Sequence, residues 1–276
     1  MEHLLSAWPD IANRIGSADQ VLLLSDFDGT LSPIVGRPEE AVLPDDTRRA
    51  LEALAGHVRV GVAVISGRAL SDIKNKVGIQ GITYAGNHGI EIEGPWLKFV
   101  YPPAEAMRPV MRHLHSTLSK VLAGFEGAFV ENKGITLSVH YRLVREDRFG
   151  ELRRVCEETV HGLRSEGKIR TTEGKKVYEI RPGVLWDKED AIVLLLNGWT
   201  SSTGQSGSLA LFIGDDLTDE GGFKVVDRHE GVSVFVGDSG SSTAARYFLR
   251  SPDEVAVFLE RLRQAIDWTG IEGRLR

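Results

Sequence analysis

The chain has 276 residues, 42% of them hydrophobic and 26% charged, and its 33 basic and 39 acidic side chains leave a formal net charge of −6. This composition predicts a globular protein with a substantial core and argues against a broad basic surface for nucleic acid or anionic membrane. Because the sequence shows neither a bilayer-spanning apolar run nor a secretory leader, we expect a cytoplasmic protein.

The first third of the chain contains two short runs that are almost wholly apolar, over residues 21–24 and 60–65. Runs of this kind are typical of strands buried on both faces, as in a parallel sheet covered by helices. After Arg68, apolar residues recur at helical spacing, and Gly78 is a suitable end for that helix. The segment therefore predicts a strand–strand–helix arrangement within an α/β fold.

The middle of the chain has a different pattern. Apolar positions predict an amphipathic helix over 107–121, and "ITLSVHYRLV" alternates as a strand with one buried face does. A second helix over 149–163 carries the lone Cys156, which we interpret as a buried apolar side chain. A hairpin is predicted near Gly174. These elements indicate a small α+β module.

The apolar pattern returns in the last third. Runs over 209–213 and 232–236 predict two more buried strands, and Ser251-Pro252 predicts the start of a C-terminal helix. The polar stretch 197–208 is predicted to be a surface loop. The expected fold class is α/β, a Rossmann-like doubly wound parallel-sheet core (1–102 and 184–276) with a smaller inserted α+β cap domain (103–183).

Acidic and hydroxyl side chains follow the predicted strands. Because the carboxyl ends of parallel strands meet at one edge, where ligands bind, we expect these side chains to lie together. A group of carboxylates favours a hard divalent cation, most simply Mg2+. With that charge present, one aspartate can attack a phosphate and form an aspartyl phosphate, while a second, two residues on, manages the proton. The residues concerned are Asp26, Asp28, Ser66, Asp215, Asp216 and Asp219.

The segments "DFDGTL", "ISGR", a downstream lysine and "GDDLTDE" resemble the four motifs of the haloacid dehalogenase superfamily of phosphohydrolases. In that superfamily the lysine is usually followed by glycine, whereas here Lys188 precedes Glu189. The resemblance implies a nucleophile (Asp26), a general acid/base (Asp28), a phosphate-binding hydroxyl (Ser66), a third-motif lysine (Lys188) and an Mg2+ site at Asp26, the Asp28 backbone carbonyl and Asp215, supported by Asp216 and Asp219.

Further segments, among them "GNHGIEIE", "ENKG", "SVHYR" and "YEIRP", resemble the trehalose-6-phosphate phosphatases, whose cap is inserted between the second and third motifs. The resemblance implies sugar-binding cap residues (Glu131, Lys133, Glu179), a contribution from the core (Asn87, His88) and two cations near the sugar phosphate (Arg142, Lys176). In a regular strand the side chains of Lys176 and Glu179 would point to opposite faces, so a bulge or a strand end is needed if both touch substrate.

The sequence thus predicts an Mg2+-dependent phosphatase acting on trehalose 6-phosphate, with association with a trehalose-phosphate synthase as a further expectation. Three alternatives stay open at this point. The first is a phosphatase of another sugar phosphate, of the sucrose or mannosylglycerate type. The second is a sugar phosphotransferase or mutase that shares the aspartyl phosphate, and the third is a catalytically silent sugar-phosphate sensor.

Overall fold

A computed structural model of the chain describes residues 1–174, 176–204 and 207–272. The chain divides into a larger unit, Met1–Phe99 with Trp186–Arg276, and an inserted unit, Val100–Leu185. These boundaries differ by a few residues from those predicted at 102/103 and 183/184. Phe99 and Trp186, the residues on either side of the insertion, stack with their ring centroids 5.2 Å apart. The insertion therefore leaves and re-enters the larger unit at neighbouring points.

Strands and helices alternate along most of the described chain. The strands are β1 (Glu2–His3), β2 (Gln20–Ser25), β3 (Val60–Ile65), β4 (Thr83–Gly86), β5 (Glu91–Glu93), β6 (Lys98–Val100), β7 (Phe129–Asn132), β8 (Leu137–His140), β9 (Ile169–Gly174), β10 (Val177–Pro182), β11 (Ser208–Gly214), β12 (Val232–Val236) and β13 (Tyr247–Leu249). The α-helices are α1 (Trp8–Ser17), α2 (Asp45–Ala55), α3 (Leu70–Val77), α4 (Pro102–Glu105), α5 (Arg108–Val121), α6 (Phe149–Ser165), α7 (Lys188–Thr203), α8 (Glu220–Arg228) and α9 (Pro252–Glu272).

The larger unit is built around one sheet, whose described strands follow the order β1-β13-β12-β11-β2-β3-β4-β5-β6. The strands from β1 to β4 in this order are parallel, and β5 is antiparallel to β4. From β2 the chain builds outward through β3 and β4, and it later builds the opposite side from β11. The carboxyl ends of β2 and β11 therefore flank the point where strand order reverses, which is where open α/β sheets bind ligands.

Two hydrophobic cores cover the opposite faces of this sheet. Leu23 of β2 packs in one core with residues of α1, α2 and α9, whereas Leu22 and Leu24 pack in the other with residues of α7 and α8. Burial on both faces accounts for the continuous apolar runs, because neither set of alternating residues meets water. The predicted doubly wound α/β core is confirmed.

The inserted unit has its own sheet and core. Its strands are antiparallel in the order β7-β8-β10-β9, and one face packs against α5 and α6 through residues that include Leu137, Val139 and Met111. Cys156 is fully buried in this core, and burial raises the pKa of its thiol to about 12. The predicted α+β module and the buried cysteine are both confirmed.

The stretch 197–208, predicted to be a surface loop, is largely helical. The helix α7 continues to Thr203 and ends at Gly204, whose φ of +67° is left-handed. Trp199 holds this last part of the helix in place, since it is only 8% exposed and its ring meets that of Trp96 at 5.1 Å. Residues 205 and 206 lie outside the described ranges. Packing thus overrides the poor helix propensity of this stretch.

The alternating segment 135–144 forms a shorter strand than predicted. β8 ends at His140, and the chain then turns, with the Tyr141 N–H donating to the Lys176 carbonyl at 3.2 Å and the Val144 N–H to the Tyr141 carbonyl at 3.1 Å. Leu143, expected on the buried face, is 61% exposed. In none of the described helices is there a segment both long and apolar enough to cross a membrane.

Candidate active site

The loops that follow the central strands bring the predicted catalytic residues to one edge of the larger sheet. Asp26 directly follows β2, and its N–H donates to the Ile213 carbonyl of β11 at 2.9 Å. Ser66 directly follows β3, and its N–H donates to the Ala85 carbonyl of β4 at 2.9 Å. Backbone hydrogen bonds thus extend the sheet by one residue at each position and fix where the two side chains begin.

Lys188 joins two aspartates from distant segments. It is the first residue of α7, after an Asp187 capping box, and its Nζ lies 2.5 Å from Asp26 Oδ1 and 2.5 Å from Asp219 Oδ1. The lysine is 2% exposed. Burial alone would lower the pKa of Lys188, but the charges of Asp219 and Asp26 outweigh it and raise that pKa, so the ammonium is retained. Glu189 points elsewhere and pairs with Arg228 at 2.9 Å.

Asp26 and Asp215 lie in a setting that resists negative charge. Burial raises the pKa of Asp26 well above its ordinary value, against the lowering effect of Lys188, and the charges of Asp219 and Asp215 raise it further. Burial, followed by the charge of Asp219, raises the pKa of Asp215 to about 7. The single ammonium of Lys188 therefore does not balance these carboxylates, and an added cation would do so.

The donor set suits Mg2+ held partly by protein. Among the described residues, no three or more His, Cys, Asp or Glu side chains form a group that could hold a metal ion by themselves. Mg2+ is commonly bound by one or two carboxylates together with waters and substrate phosphate oxygens. Asp26 and Asp215, with the backbone carbonyl of Asp28, are donors of that kind, and a bound cation would favour the charged forms of these two aspartates, whose pKa values are raised.

Asp219 and Asp216 organise the loop that carries Asp215. Asp219 is fully buried, and while its Oδ1 meets Lys188, its Oδ2 accepts the N–H groups of Asp215 and Asp216 at 3.1 and 3.0 Å. Asp216 Oδ1 accepts the Leu217 N–H at 2.6 Å. Both oxygens of Asp219 thus already accept hydrogen bonds from protein donors, so the support predicted for this residue would be indirect, through the loop that carries Asp215.

Gly29 allows Asp215 to come close to the loop after β2. Its φ is +89°, and a Cβ built there would lie 2.1 Å from Asp215 Oδ2. Thr30 Oγ1 donates to Asp215 Oδ1 at 3.1 Å and holds the carboxylate in this place. A glycine is therefore needed here for two reasons, since any side chain would be strained at this φ and would overlap the carboxylate.

The carboxylate of Asp28 is paired with Arg68, a residue that the sequence analysis did not assign to the site. Arg68 Nε lies 2.7 Å from Asp28 Oδ2, and Nη2 lies 2.6 Å from Oδ1. Burial alone would lower the pKa of Arg68, but hydrogen bonds and charge from Asp28 raise it. In the sequence, the only indication of this pair was the arginine in "ISGR". The two residues are 40 positions apart, so no local spacing could predict their contact.

Ser66, Asn87 and His88 stand beside each other after β3 and β4. Ser66 Oγ accepts the Arg68 N–H at 3.1 Å, and the His88 N–H donates to the Ser66 carbonyl at 2.9 Å. Asn87 is fully buried and donates through Nδ2 to Glu91 Oε2 at 2.7 Å. Asn87 and His88 both have positive φ values, 52° and 57°. The predicted sugar-binding role of Asn87 stays a prediction, and the side chain already serves to fix this turn through Glu91.

In the inserted unit, three predicted substrate residues form a charged group. Glu131 of β7 and Glu179 of β10 are both in register with Ser138 of β8, so they share one face of the sheet. Lys133 Nζ lies 3.7 Å from Glu179 Oε1, and Glu179 also pairs with Arg181. Burial tends to raise the pKa of Glu179, but Arg181 and Lys133 lower it overall.

His140 joins this group, whereas the two predicted phosphate-side cations lie outside the strands. His140 Nε2 is 2.8 Å from Glu131 Oε2. Lys176 precedes β10 with a left-handed φ of +67°, and its Nζ lies 3.4 Å from Glu146 Oε1 and 4.0 Å from the Phe149 ring centroid. Arg142 follows β8 and is exposed. Lys176 thus stands at a strand end, one of the two arrangements that the sequence analysis required.

Comparisons with known proteins agree on one family. The family model described as trehalose-phosphatase matches residues 24–253. A trehalose-phosphate phosphatase of Mycobacterium tuberculosis is 37% identical over 271 residues, which cover 95% of this chain and 67% of that protein. The probable trehalose-phosphate phosphatase 3 of Oryza sativa subsp. japonica is 34% identical over 272 residues, covering 93% of this chain and 73% of that protein.

Solved structures agree with the fold. The C-terminal domain of the Candida albicans trehalose-6-phosphate phosphatase superposes with a TM-score of 0.72 at 21% identity, covering 93% of this chain and 96% of that one. A structure of a trehalose-6-phosphate phosphatase related protein gives a TM-score of 0.74 at 23% identity, with 88% and 97% covered. At these identities the likeness concerns the fold alone.

Proposed function

The chain belongs to the trehalose-phosphatase family, and from this premise we propose that it hydrolyses trehalose 6-phosphate with Mg2+ and through an aspartyl phosphate on Asp26. As a member of that family it is a phosphoric monoester hydrolase. The observation that carries the proposed mechanism is the buried pair of Asp26 and Lys188, 2.5 Å apart, next to the carboxylate of Asp215. It supplies a nucleophile, a fixed positive charge and an oxygen donor at one edge of the sheet.

In the first proposed step, the Asp26 carboxylate attacks phosphorus and the bond between phosphorus and the sugar oxygen breaks. Asp28 gives its proton to that oxygen, so the sugar leaves as a neutral alcohol. Ser66 donates its hydroxyl hydrogen to a phosphate oxygen. Lys188 holds the Asp26 carboxylate in one orientation from its buried position at the start of α7.

In the second step, water attacks the phosphorus of the aspartyl phosphate and the bond to Asp26 breaks. Asp28, now a carboxylate, accepts a proton from that water, so both aspartates return to their starting forms and inorganic phosphate is released. Bound Mg2+ would offset the repulsion between the Asp26 carboxylate and the phosphate, and it would favour the charged form of Asp26. Asp26, Asp215 and the Asp28 carbonyl would hold it.

The charged face of the inserted unit supports a role in sugar recognition. Glu131, Glu179 and Lys133 place carboxylate and ammonium groups on one face of its sheet. Sugar hydroxyls both donate and accept hydrogen bonds, and mixed charged groups of this kind can serve both needs. We assign the trehalose moiety to this face and the phosphoryl chemistry to the larger unit.

A panel of sugar phosphates tests the substrate. Phosphate release is measured with the trehalose, sucrose and mannosylglycerate phosphates, each with Mg2+, with EDTA, and with Mg2+ restored after EDTA. We expect the highest kcat/KM on trehalose 6-phosphate and activity only when Mg2+ is present. Equal turnover across the panel would remove the trehalose assignment, and full activity in EDTA would remove the metal. Phosphate transfer to an added sugar in place of water would favour a phosphotransferase.

Two variants test the roles of the two units. Asp26→Asn is expected to abolish turnover while sparing the circular dichroism spectrum, and residual turnover near that of the parent protein would reject Asp26 as nucleophile. Glu131→Ala is expected to reduce kcat/KM on trehalose 6-phosphate far more than on p-nitrophenyl phosphate, which has no sugar to bind. Equal losses on both esters would remove Glu131 from sugar recognition. Association with a trehalose-phosphate synthase stays a prediction that co-purification can test.

A further inference from the structure

We propose that Arg68 is the positioning residue for proton transfer by Asp28, and that protonation of the departing sugar oxygen depends on it. The proposal rests on the proposed function, because it takes Asp28 as the general acid. Its basis is the two-point contact between the guanidinium and the carboxylate, with Nε to Oδ2 at 2.7 Å and Nη2 to Oδ1 at 2.6 Å. A planar fork of this kind fixes the plane of a carboxylate as well as its distance.

The exposed fractions of the two side chains suit these roles. The Arg68 side chain is 10% exposed, whereas that of Asp28 is 40% exposed. The arginine therefore contacts the carboxylate from the protein side, while Asp28 stays accessible to a reacting group. Each carboxylate oxygen has two lone-pair directions, so an oxygen that accepts from Arg68 can still carry or receive a proton.

Two of the three remaining N–H groups of the Arg68 guanidinium also donate to protein. A guanidinium has five N–H donors. Beyond the two hydrogen bonds to Asp28, Nη1 donates to Asp72 Oδ2 at 2.8 Å and Nη2 donates to the Pro38 carbonyl at 2.9 Å. An arginine that binds a substrate phosphate would direct two guanidinium N–H groups at the phosphate oxygens instead of at protein acceptors. The pattern in this structure instead indicates a residue that acts on substrate through Asp28.

Arg68 is itself held firmly, which a positioning residue requires. Its N–H donates to Ser66 Oγ at 3.1 Å and its carbonyl accepts the Asn87 N–H at 2.7 Å. Asp72, its second carboxylate partner, lies in the first turn of α3, and the guanidinium carbon lies 5.5 Å from the centroid of the Phe27 ring. The orientation of Asp28 is thus tied to β3, β4 and α3 rather than to its own loop alone.

The proposal predicts a dependence on the leaving group. A sugar alkoxide is a strong base and needs a proton as it departs, whereas p-nitrophenolate is a weak base that departs without one. Misplacing the Asp28 carboxylate should therefore slow cleavage of trehalose 6-phosphate and spare cleavage of p-nitrophenyl phosphate. Because hydrolysis of the aspartyl phosphate is common to both esters, the comparison has to be made on the first turnover.

The test is rapid-quench measurement of the first turnover in the full chain with Mg2+, comparing release of trehalose with release of p-nitrophenol. For Arg68→Met we expect trehalose release to slow by about 10²-fold or more, the usual contribution of general acid catalysis, and the p-nitrophenol burst to slow by less than about threefold. Arg68→Lys, which keeps the charge but lacks the planar fork, should show the same imbalance. It also serves if Arg68→Met does not fold.

Arg48→Met is the matched control. Arg48 is an arginine of α2 that donates to the Val77 carbonyl at 2.6 Å, and none of its described hydrogen bonds or ion pairs reaches Asp28. Both first-turnover rates should therefore fall together or not at all. Equal losses on the two esters in both Arg68 variants, or parent-like rates on both, would overturn the positioning role. If instead the unsubstituted protein releases no trehalose but does release another sugar, the proposed substrate fails while the Arg68 test can proceed with that sugar phosphate.

Discussion

Replacing the buried Lys188 should lower the free energy of unfolding of the larger unit. Lys188 is 2% exposed and Asp219 is fully buried, and Lys188→Met removes the ammonium that lies 2.5 Å from the carboxylates of Asp219 and Asp26. Breaking a buried ion pair by removing one partner typically costs about 3–5 kcal/mol, because a buried charge is left uncompensated. We expect the free energy of unfolding to fall by about that amount at neutral pH.

The loss should also depend on pH. Lys188 lowers the pKa of Asp26, which burial already raises, so the variant has an Asp26 with a still higher pKa. An acid whose pKa is raised on folding binds more protons in the folded than in the unfolded state. The free energy of unfolding of the variant should therefore be highest below the pKa that Asp26 has in the unfolded chain. It should fall as the pH rises from there toward the pKa of Asp26 in the folded protein, by up to about 1.4 kcal/mol per pH unit.

Urea denaturation followed by tryptophan fluorescence measures both effects, since all five tryptophans belong to the larger unit. Lys168→Met is the control, because the ion pair of Lys168 with Glu166 has both side chains more than half exposed and should contribute less than about 1 kcal/mol. A deficit for Lys188→Met no larger than that of the control, or one that does not change between pH 5 and pH 8, would refute the description of a buried lysine that stabilises the carboxylates of Asp26 and Asp219.

Three further outcomes follow from single residues. If Mg2+ binds as proposed, it should raise the Tm of the parent protein, and Gly29→Ala should abolish that rise, because the new Cβ would lie 2.1 Å from Asp215 Oδ2. A parent-like rise in the variant would show that Asp215 can move without loss of the ion. Cys156, with a thiol pKa of about 12, should have a thiolate fraction of about 10⁻⁴ at pH 8. Its thiol should therefore react with a disulfide reagent only after denaturant is added, and rapid reaction in buffer would contradict its burial. Tyr84→Phe removes a hydroxyl that donates to the Ile79 carbonyl at 2.7 Å and accepts the Ile79 N–H at 2.9 Å. The free energy of unfolding should therefore fall by about 1–3 kcal/mol. An unchanged urea midpoint would argue against these hydrogen bonds.

The fold class could be predicted from the sequence because burial leaves a local pattern. Strands such as β2 and β3 are covered on both faces, and each therefore appears as an unbroken apolar run. Lys188 could be singled out from motif order, and the structure places its ammonium against Asp26. In both cases the information lies within a few consecutive residues or in their order along the chain.

Other features could not be predicted, because they depend on contacts between distant residues. The last turns of α7 contain Asn, Gly, Ser and Thr, and the burial of Trp199 helps to keep them helical. The strand β8 stops at His140 because the chain turns toward Lys176, a contact that alternation alone does not reveal. The pairing of Arg68 with Asp28 likewise has no signature in spacing, although it links two recognisable motifs.

The stacked rings of Phe99 and Trp186 have a consequence for how such a chain could arise. Because the ring centroids of these two residues are only 5.2 Å apart, a short bridge could replace 101–185 and leave β6 of the larger sheet whole. Domains accept guests most readily where the entry and exit points are adjacent. We therefore expect that the inserted segment could be exchanged for another while the residues of the candidate active site in the larger unit keep their scaffold.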